Sequence, residues 1–225
     1  EEGNITGVQG KWFNVTIGGY DPADPDDTIT FATNITEVFP ALATSPEDYN
    51  YTFNESSGNL SFIPDNSMVG AYVVNISISD ERPDGTVYAN VTFYIENAND
   101  PPRITQIAGQ TPAEEGEYLQ LTATEKEWFN ITMQVVDPDI EIGIGDILTY
   151  STNLTQSIKA NTGIDVATAE DIEYEFDAAT GNLSLLPTNE IVGTYYVNFS
   201  VSDDKGGSAY TWVELEIKNV NDPPE

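Results

Sequence analysis

The stretch Gly70-Ala71-Tyr72-Val73-Val74-Asn75-Ile76-Ser77-Ile78-Ser79-Asp80 returns later as Gly193-Thr194-Tyr195-Tyr196-Val197-Asn198-Phe199-Ser200-Val201-Ser202-Asp203. In the first copy Tyr72, Val74, Ile76 and Ile78 fall on one side of a period of two, and Val73, Asn75, Ser77 and Ser79 on the other. Tyr195, Val197, Phe199 and Val201 repeat the apolar side. A period of two predicts a strand with one buried and one wet face. Phe13, Val15 and Ile17 form another such face, as do Val91, Phe93 and Ile95. Turn residues such as Ser57-Gly58-Asn59 and Asp84-Gly85 separate the runs. The pattern predicts an all-β chain of antiparallel sheets packed as sandwiches. Segments 37–48 and 154–173 lack alternation and are expected to hold one short helical turn each, with no long helix.

The repeat extends along the whole chain. Trp12-Phe13-Asn14-Val15-Thr16 matches Trp128-Phe129-Asn130-Ile131-Thr132, and Gly58-Asn59-Leu60-Ser61 matches Gly181-Asn182-Leu183-Ser184. Asn97-Ala98-Asn99-Asp100-Pro101-Pro102 recurs as Asn219-Val220-Asn221-Asp222-Pro223-Pro224, each copy directly after an alternating run. Two prolines favour an extended path out of that joint. Two homologous domains are expected, residues 1–100 and 101–225. Arg103 to Ala113 precede Glu114-Glu115-Gly116, whereas Glu1-Glu2-Gly3 open the chain, so the first strand of domain 1 is expected to be missing and a sheet edge to be open.

With 38 acids against 7 bases, a net charge of −31 excludes a basic patch for nucleic acid or anionic membrane. The chain has no cysteine and no histidine, which excludes thiol chemistry, Cys/His zinc sites and Ser-His-Asp triads. Apolar runs are of strand length only, so this stretch inserts no helix into a membrane. No pair of carboxylates stands out as a catalytic pair, and the chain is read as non-enzymatic.

Val136-Asp137-Pro138-Asp139 leading to Gly145-Asp146-Ile147-Leu148-Thr149-Tyr150, Phe176-Asp177-Ala178-Ala179-Thr180-Gly181-Asn182-Leu183, the strand ending at Ser202-Asp203, and the joints together resemble cadherin-like repeats. The likeness is to the dystroglycan-type cadherin-like domains of archaeal and bacterial surface proteins. It implies two tandem Greek-key, immunoglobulin/cadherin-like β-sandwiches. It further implies calcium between successive domains, held by Glu1 or Glu2, Asn99, Asp100, Asp137, Asp139 and Asp203. The chemistry of these residues agrees, since Ca²⁺ takes six to eight oxygens without strict geometry and extracellular modules bind it at roughly 10⁻⁴–10⁻³ M. Without a cation, two carboxylates about 4–5 Å apart repel by roughly 3–4 kcal/mol at an effective dielectric near 20. The family's Leu-Asp-Arg-Glu segment is absent, and Asp65 is the nearest substitute in domain 1. The competing reading makes these acids solvated caps of turns, for which Asp and Asn suit equally.

Asn-x-Ser/Thr occurs at 12 of the 19 asparagines, where chance would give roughly 3. A wet strand face accounts for part of the excess. Asn34, Asn50, Asn54 and Asn153 lie at strand ends or loops and are read as glycan acceptors. Trp12, Trp128 and Trp212, with Tyr88, Tyr94, Tyr196 and Tyr210, offer outward rings for sugar stacking or for packing between strands. The functional expectation is an extracellular, cell-surface adhesion or structural module, with calcium, neighbouring repeats or other copies of itself as partners. A carbohydrate-binding module, with glycans as partners, is the alternative.

Overall fold

The computed structural model describes residues 4–24, 27–80, 82 and 85–221. The chain divides into two compact units, Glu1–Ala98 and Asn99–Glu225. Unit 1 runs β1 (Asn4–Val8), β2 (Phe13–Thr16), β3 (Thr30–Thr33), α1 (Ile35–Val38), α2 (Ala41–Thr44), β4 (Thr52–Asn54), β5 (Asn59–Phe62), β6 (Gly70–Ser79) and β7 (Thr86–Glu96). Unit 2 runs β8 (Arg103–Ile107), β9 (Leu119–Thr124), β10 (Phe129–Ile131), β11 (Met133–Val136), α3 (Pro138–Glu141), β12 (Thr149–Thr152), α4 (Leu154–Thr162), β13 (Glu173–Phe176), β14 (Leu183–Leu186), β15 (Gly193–Ser202) and β16 (Ser208–Lys218).

Each unit is all-β, with a larger sheet opposed by smaller ones. In unit 1 the sheets are β1-β7-β6-β3 and β2-β5-β4; in unit 2 they are β9-β16-β15-β12, β10-β14-β13 and the pair β8-β11. The alternating faces meet in the core. Val74, Phe93 and Ile95 are buried in unit 1 against Phe13, Leu60 and Phe62, and Tyr195, Val197, Phe199 and Val201 in unit 2 against Leu183 and Leu185. Phe13 sits between Phe62 and Phe93, with ring centroids 5.0 and 4.9 Å away. Burying one such ring contributes about 1.5–3 kcal/mol.

The expected antiparallel sheets need one correction. β1 pairs with β7, and β9 with β16, in parallel. Periodicity says which face a residue occupies, not which way the neighbouring strand runs. An early strand and the last can lie parallel because the intervening sandwich serves as the crossover that a parallel pair requires. The strand pair β8-β11 occurs in unit 2; among the described residues of unit 1, chain 17–20 after β2 forms no strand.

The helical segments sit where alternation fails and are tied down by asparagine. Asn153 donates its main-chain N–H to Asn198 O at 3.2 Å, and its Oδ1 accepts the Asn198 N–H at 2.7 Å. Asn34 and Asn75 repeat both bonds in unit 1, at 3.2 and 2.8 Å. Asn153→Ala orphans the half-buried Asn198 N–H and is expected to destabilise unit 2 by about 1–3 kcal/mol, read by urea unfolding. Gly58 and Gly181 hold φ of +67° and +72° in the equivalent turns. A Cβ on Gly58 would stand 2.3 Å from Ile17 O, so the glycine of the repeated Gly-Asn-Leu-Ser is a backbone requirement.

Candidate metal centre

Three loops of unit 2 deliver carboxylates to one pole of its sandwich. Asp137 follows β11 with extended backbone and caps α3, its Oδ1 accepting from Asp139 N at 2.9 Å and Ile140 N at 3.4 Å. Proline at the first helical position suits this start, where no N–H is needed. Asp139 is wholly buried, and its Oδ2 accepts the Asp100 N–H at 2.9 Å. Asp146 precedes β12 with a side chain 1% exposed. Asp203 ends β15: its Oδ1 accepts from Lys205 N and Gly207 N, both at 2.8 Å, and its Oδ2 from Asn99 Nδ2 at 3.0 Å.

Main-chain amides thus fix one oxygen of each of Asp137 and Asp139, and leave the other bare. Asp137 Oδ2, Asp139 Oδ1 and Asp146 Oδ2 are buried and carry no hydrogen bond. Carboxylate oxygens of Asp137, Asp146 and Asp203 lie within 4.8 Å of one another. Buried charge without a partner is strongly unfavourable. The nearby cation, Lys205, is half exposed, stands 3.8 Å from Asp146 and pairs more closely with Asp204.

Electrostatics follow from this crowding. Burial pushes the Asp146 carboxyl above its ordinary 3.8; Lys205 opposes the shift, and Asp139 and Asp137 add to it. Burial also raises Asp203, but the Asn99 amide and the backbone amides of its own loop outweigh it and hold that carboxyl below 3.8. The signs differ. Ionised Asp146 weighs against the folded unit at pH above its raised pKa, and that penalty vanishes as it protonates. Asp203 contributes stability above pH 3.8 that is lost as pH falls through its lowered pKa. An all-oxygen set with bare buried carboxylate oxygens fits a hard divalent cation of the calcium type.

Of the residues expected at the metal, Asn99, Asp100, Asp137, Asp139 and Asp203 meet at this pole. Glu1 and Glu2 lie outside the described residues. Two residues escaped the sequence reading. Asp146 is one; it stands nine positions beyond Asp137 and reaches the pole through an irregular loop. Glu125 is the other, at 1% exposure one residue past β9. Its Oε2 accepts the Val220 N–H at 3.0 Å, and Lys126 Nζ lies 3.2 Å from its Oε1. A charge at an inward position of the series Leu119, Leu121, Ala123, Glu125 was its signal. Gln9 holds the equivalent place in unit 1, accepting the Ala98 N–H at 3.2 Å. Glu114 and Glu115, the counterparts of Glu1 and Glu2, are exposed. Asp65 caps a single helical turn, accepts from Ser67 N and takes the Tyr49 hydroxyl.

Unit 1 builds the same loop differently. Asp21 Oδ1 accepts from Ala23 N at 2.7 Å, so alanine occupies the position of Asp139. The Arg82 guanidinium spans Asp24 and Asp27 at 2.6 and 2.5 Å. Between them stands a positive charge supplied by the chain itself.

No family profile and no curated sequence matches this chain. Solved structures do. Human CDH23 EC21-23 is 18% identical at a TM-score of 0.59, the match covering 98% of this chain and 68% of that one. Human Protocadherin-24 EC1-2 is 11% identical at a TM-score of 0.51, covering 97% and 96%. The chain spans 28% of an endo-fucoidan hydrolase from glycoside hydrolase family 107, at a TM-score of 0.34. Sheet topology and the first two likenesses together establish the fold as a cadherin-like β-sandwich.

Proposed function

We propose that this chain is a non-enzymatic structural and adhesive module of an extracellular, cell-surface protein, whose second unit takes calcium at the pole of Asp137, Asp139, Asp146 and Asp203. The observation that carries the reading is the set of bare buried oxygens on Asp137, Asp139 and Asp146. Acids that served only to cap turns would lie in solvent; these are buried. Bound calcium would supply the positive charge that offsets their repulsion. Asn99 and Asp100 already bond to Asp203 and Asp139, so the cation would fix the first residues of unit 2 to its acidic pole. Affinity in the extracellular range suits a permanent structural ion.

Hydrogen exchange tests this. Calcium should slow exchange of the Asp100 and Gly207 amides by about tenfold or more, since opening of the loop must then release the ion. Chelator should reverse it. Unchanged exchange, with no heat of binding on calcium titration, would end the proposal.

The carbohydrate alternative has its own observation. Tyr118, Tyr210 and Trp212 line a groove of about 550 Å³ on unit 2, with Glu114, Glu115 and Glu117 along its rim. The Tyr118 and Tyr196 rings meet tilted, with centroids 4.9 Å apart. Glycan-array binding by the native chain, lost on Trp212→Ala, is the result that favours it.

A further inference from the structure

The structure assigns an N-glycan acceptor face to unit 1, the outward side of the sheet β2-β5-β4. Four sequons converge there: Asn14-Val15-Thr16 in β2, Asn59-Leu60-Ser61 in β5, Asn54-Glu55-Ser56 leaving β4 and Asn50-Tyr51-Thr52 entering it. The register puts Asn14, Asn54 and Asn59 on one surface, and Asn50 lies in the turn two residues before β4. Asn14 faces Ser61, Thr16 faces Asn59, Thr52 faces Ser61 and Asn54 faces Asn59. All four asparagines are exposed.

Three of the amides are oriented by the oxygen. Asn14 Oδ1 accepts the Ser61 hydroxyl at 2.5 Å, and Asn59 Oδ1 accepts the Thr16 hydroxyl at 2.9 Å. Asn54 Oδ1 takes the Ser56 and Ser57 amides at 3.0 and 2.9 Å. The anchored end is the oxygen, and Nδ2, the atom that would carry sugar, is the end presented.

At two of the four positions unit 2 shows that the fold does not need the sequon, while Asn130-Ile131-Thr132 and Asn182-Leu183-Ser184 repeat the other two. Asp177 makes the same turn as Asn54, its Oδ1 accepting from Ala179 N at 2.8 Å. Glu175 faces Ser184 where Thr52 faces Ser61. The turn asks for an acceptor oxygen, and either Asp or Asn supplies it. Unit 1 uses asparagine followed two residues later by serine. By contrast, Asn34, Asn75, Asn153 and Asn198 are half buried and joined in the two asparagine staples, so sugar on Asn34 or Asn153 would compete with the fold.

The donor is a lipid-linked oligosaccharyl phosphate or pyrophosphate, and the catalyst an external oligosaccharyltransferase. Nδ2 attacks the anomeric carbon, forming a C–N bond. The bond from that carbon to the phosphate oxygen breaks, its electron pair leaving with the lipid phosphate, and the amide loses one proton. Asn54 and Asn59 are directly opposed, about 5 Å apart, so a given molecule carries sugar on one of them.

The test is glycopeptide mass spectrometry on the full chain secreted folded from a glycosylating host. Expected are glycans on at least two of Asn14, Asn50, Asn54 and Asn59, with Asn34 and Asn153 bare and no molecule modified at both Asn54 and Asn59. Replacing the four by glutamine should remove the glycan mass those sites carry, leaving what sequons elsewhere in the chain, such as the exposed Asn130 and Asn182, carry. Occupancy of fewer than two of the four, sugar on Asn34 or Asn153, or double occupancy of Asn54 and Asn59 overturns the assignment.

Discussion

Asparagine in place of Asp137 weakens calcium binding by at least about 100-fold, because affinity at such sites follows the number of charged ligands and the order of their surroundings. The substitution is a clean probe. Asp137 Oδ1 caps α3 through two main-chain amides, and asparagine caps as well as aspartate. Only the charge on the bare Oδ2 is removed. Without metal, the variant should be at least as stable as the parent, since one of three mutually repelling carboxylates within 4.8 Å has been neutralised. With calcium at about 100 times its dissociation constant, the parent gains about 2.7 kcal/mol and the variant gains almost nothing. Calcium titration by calorimetry, with urea unfolding in calcium and in chelator, reads both effects. A variant that binds calcium like the parent would remove Asp137 from the site.

Alanine at Gly207 breaks the same pole by steric force alone. A Cβ there would stand 2.2 Å from Asp203 Oδ2 and 2.7 Å from Pro101 Cα. The loop must shift, taking with it the amide that Asp203 Oδ1 accepts. Expected is a loss of about 1–3 kcal/mol of stability from overpacking, together with a calcium affinity reduced as far as in the Asp137 variant. Gly145→Ala is the control. It adjoins Asp146, yet its Cβ would meet nothing within 4 Å. Equal loss in both glycine variants would show that the loop tolerates no change of any kind, and would remove the case for a specific Asp203–Gly207 contact.

Much of the architecture could be read from local pattern. Tyr195, Val197, Phe199 and Val201 alternate because one face of their strand is buried, and a two-residue period survives in any sequence that satisfies that demand. The two units follow from repetition, whereas Asp137, Asp139 and Asp203 stand out through the resemblance to cadherin-like repeats. Other features depended on partners distant in the chain. The parallel pairing of β1 with β7 has no local signature. Asn34 and Asn153 read as loop residues, yet each accepts the amide of a strand residue more than forty positions away.

The acidic pole marks the boundary between the two kinds of knowledge. Asp and Asn suit these turns for local reasons, since turn geometry and strand period are settled within a few residues. Whether a carboxylate oxygen is spent on an amide or left bare depends on what three separate loops bring within a few ångströms. Ala23 and Arg82 in unit 1, against Asp139 and the half-exposed Lys205 in unit 2, turn similar loops to opposite electrostatic ends. That difference is one of distance and burial, and it exists once the chain has folded.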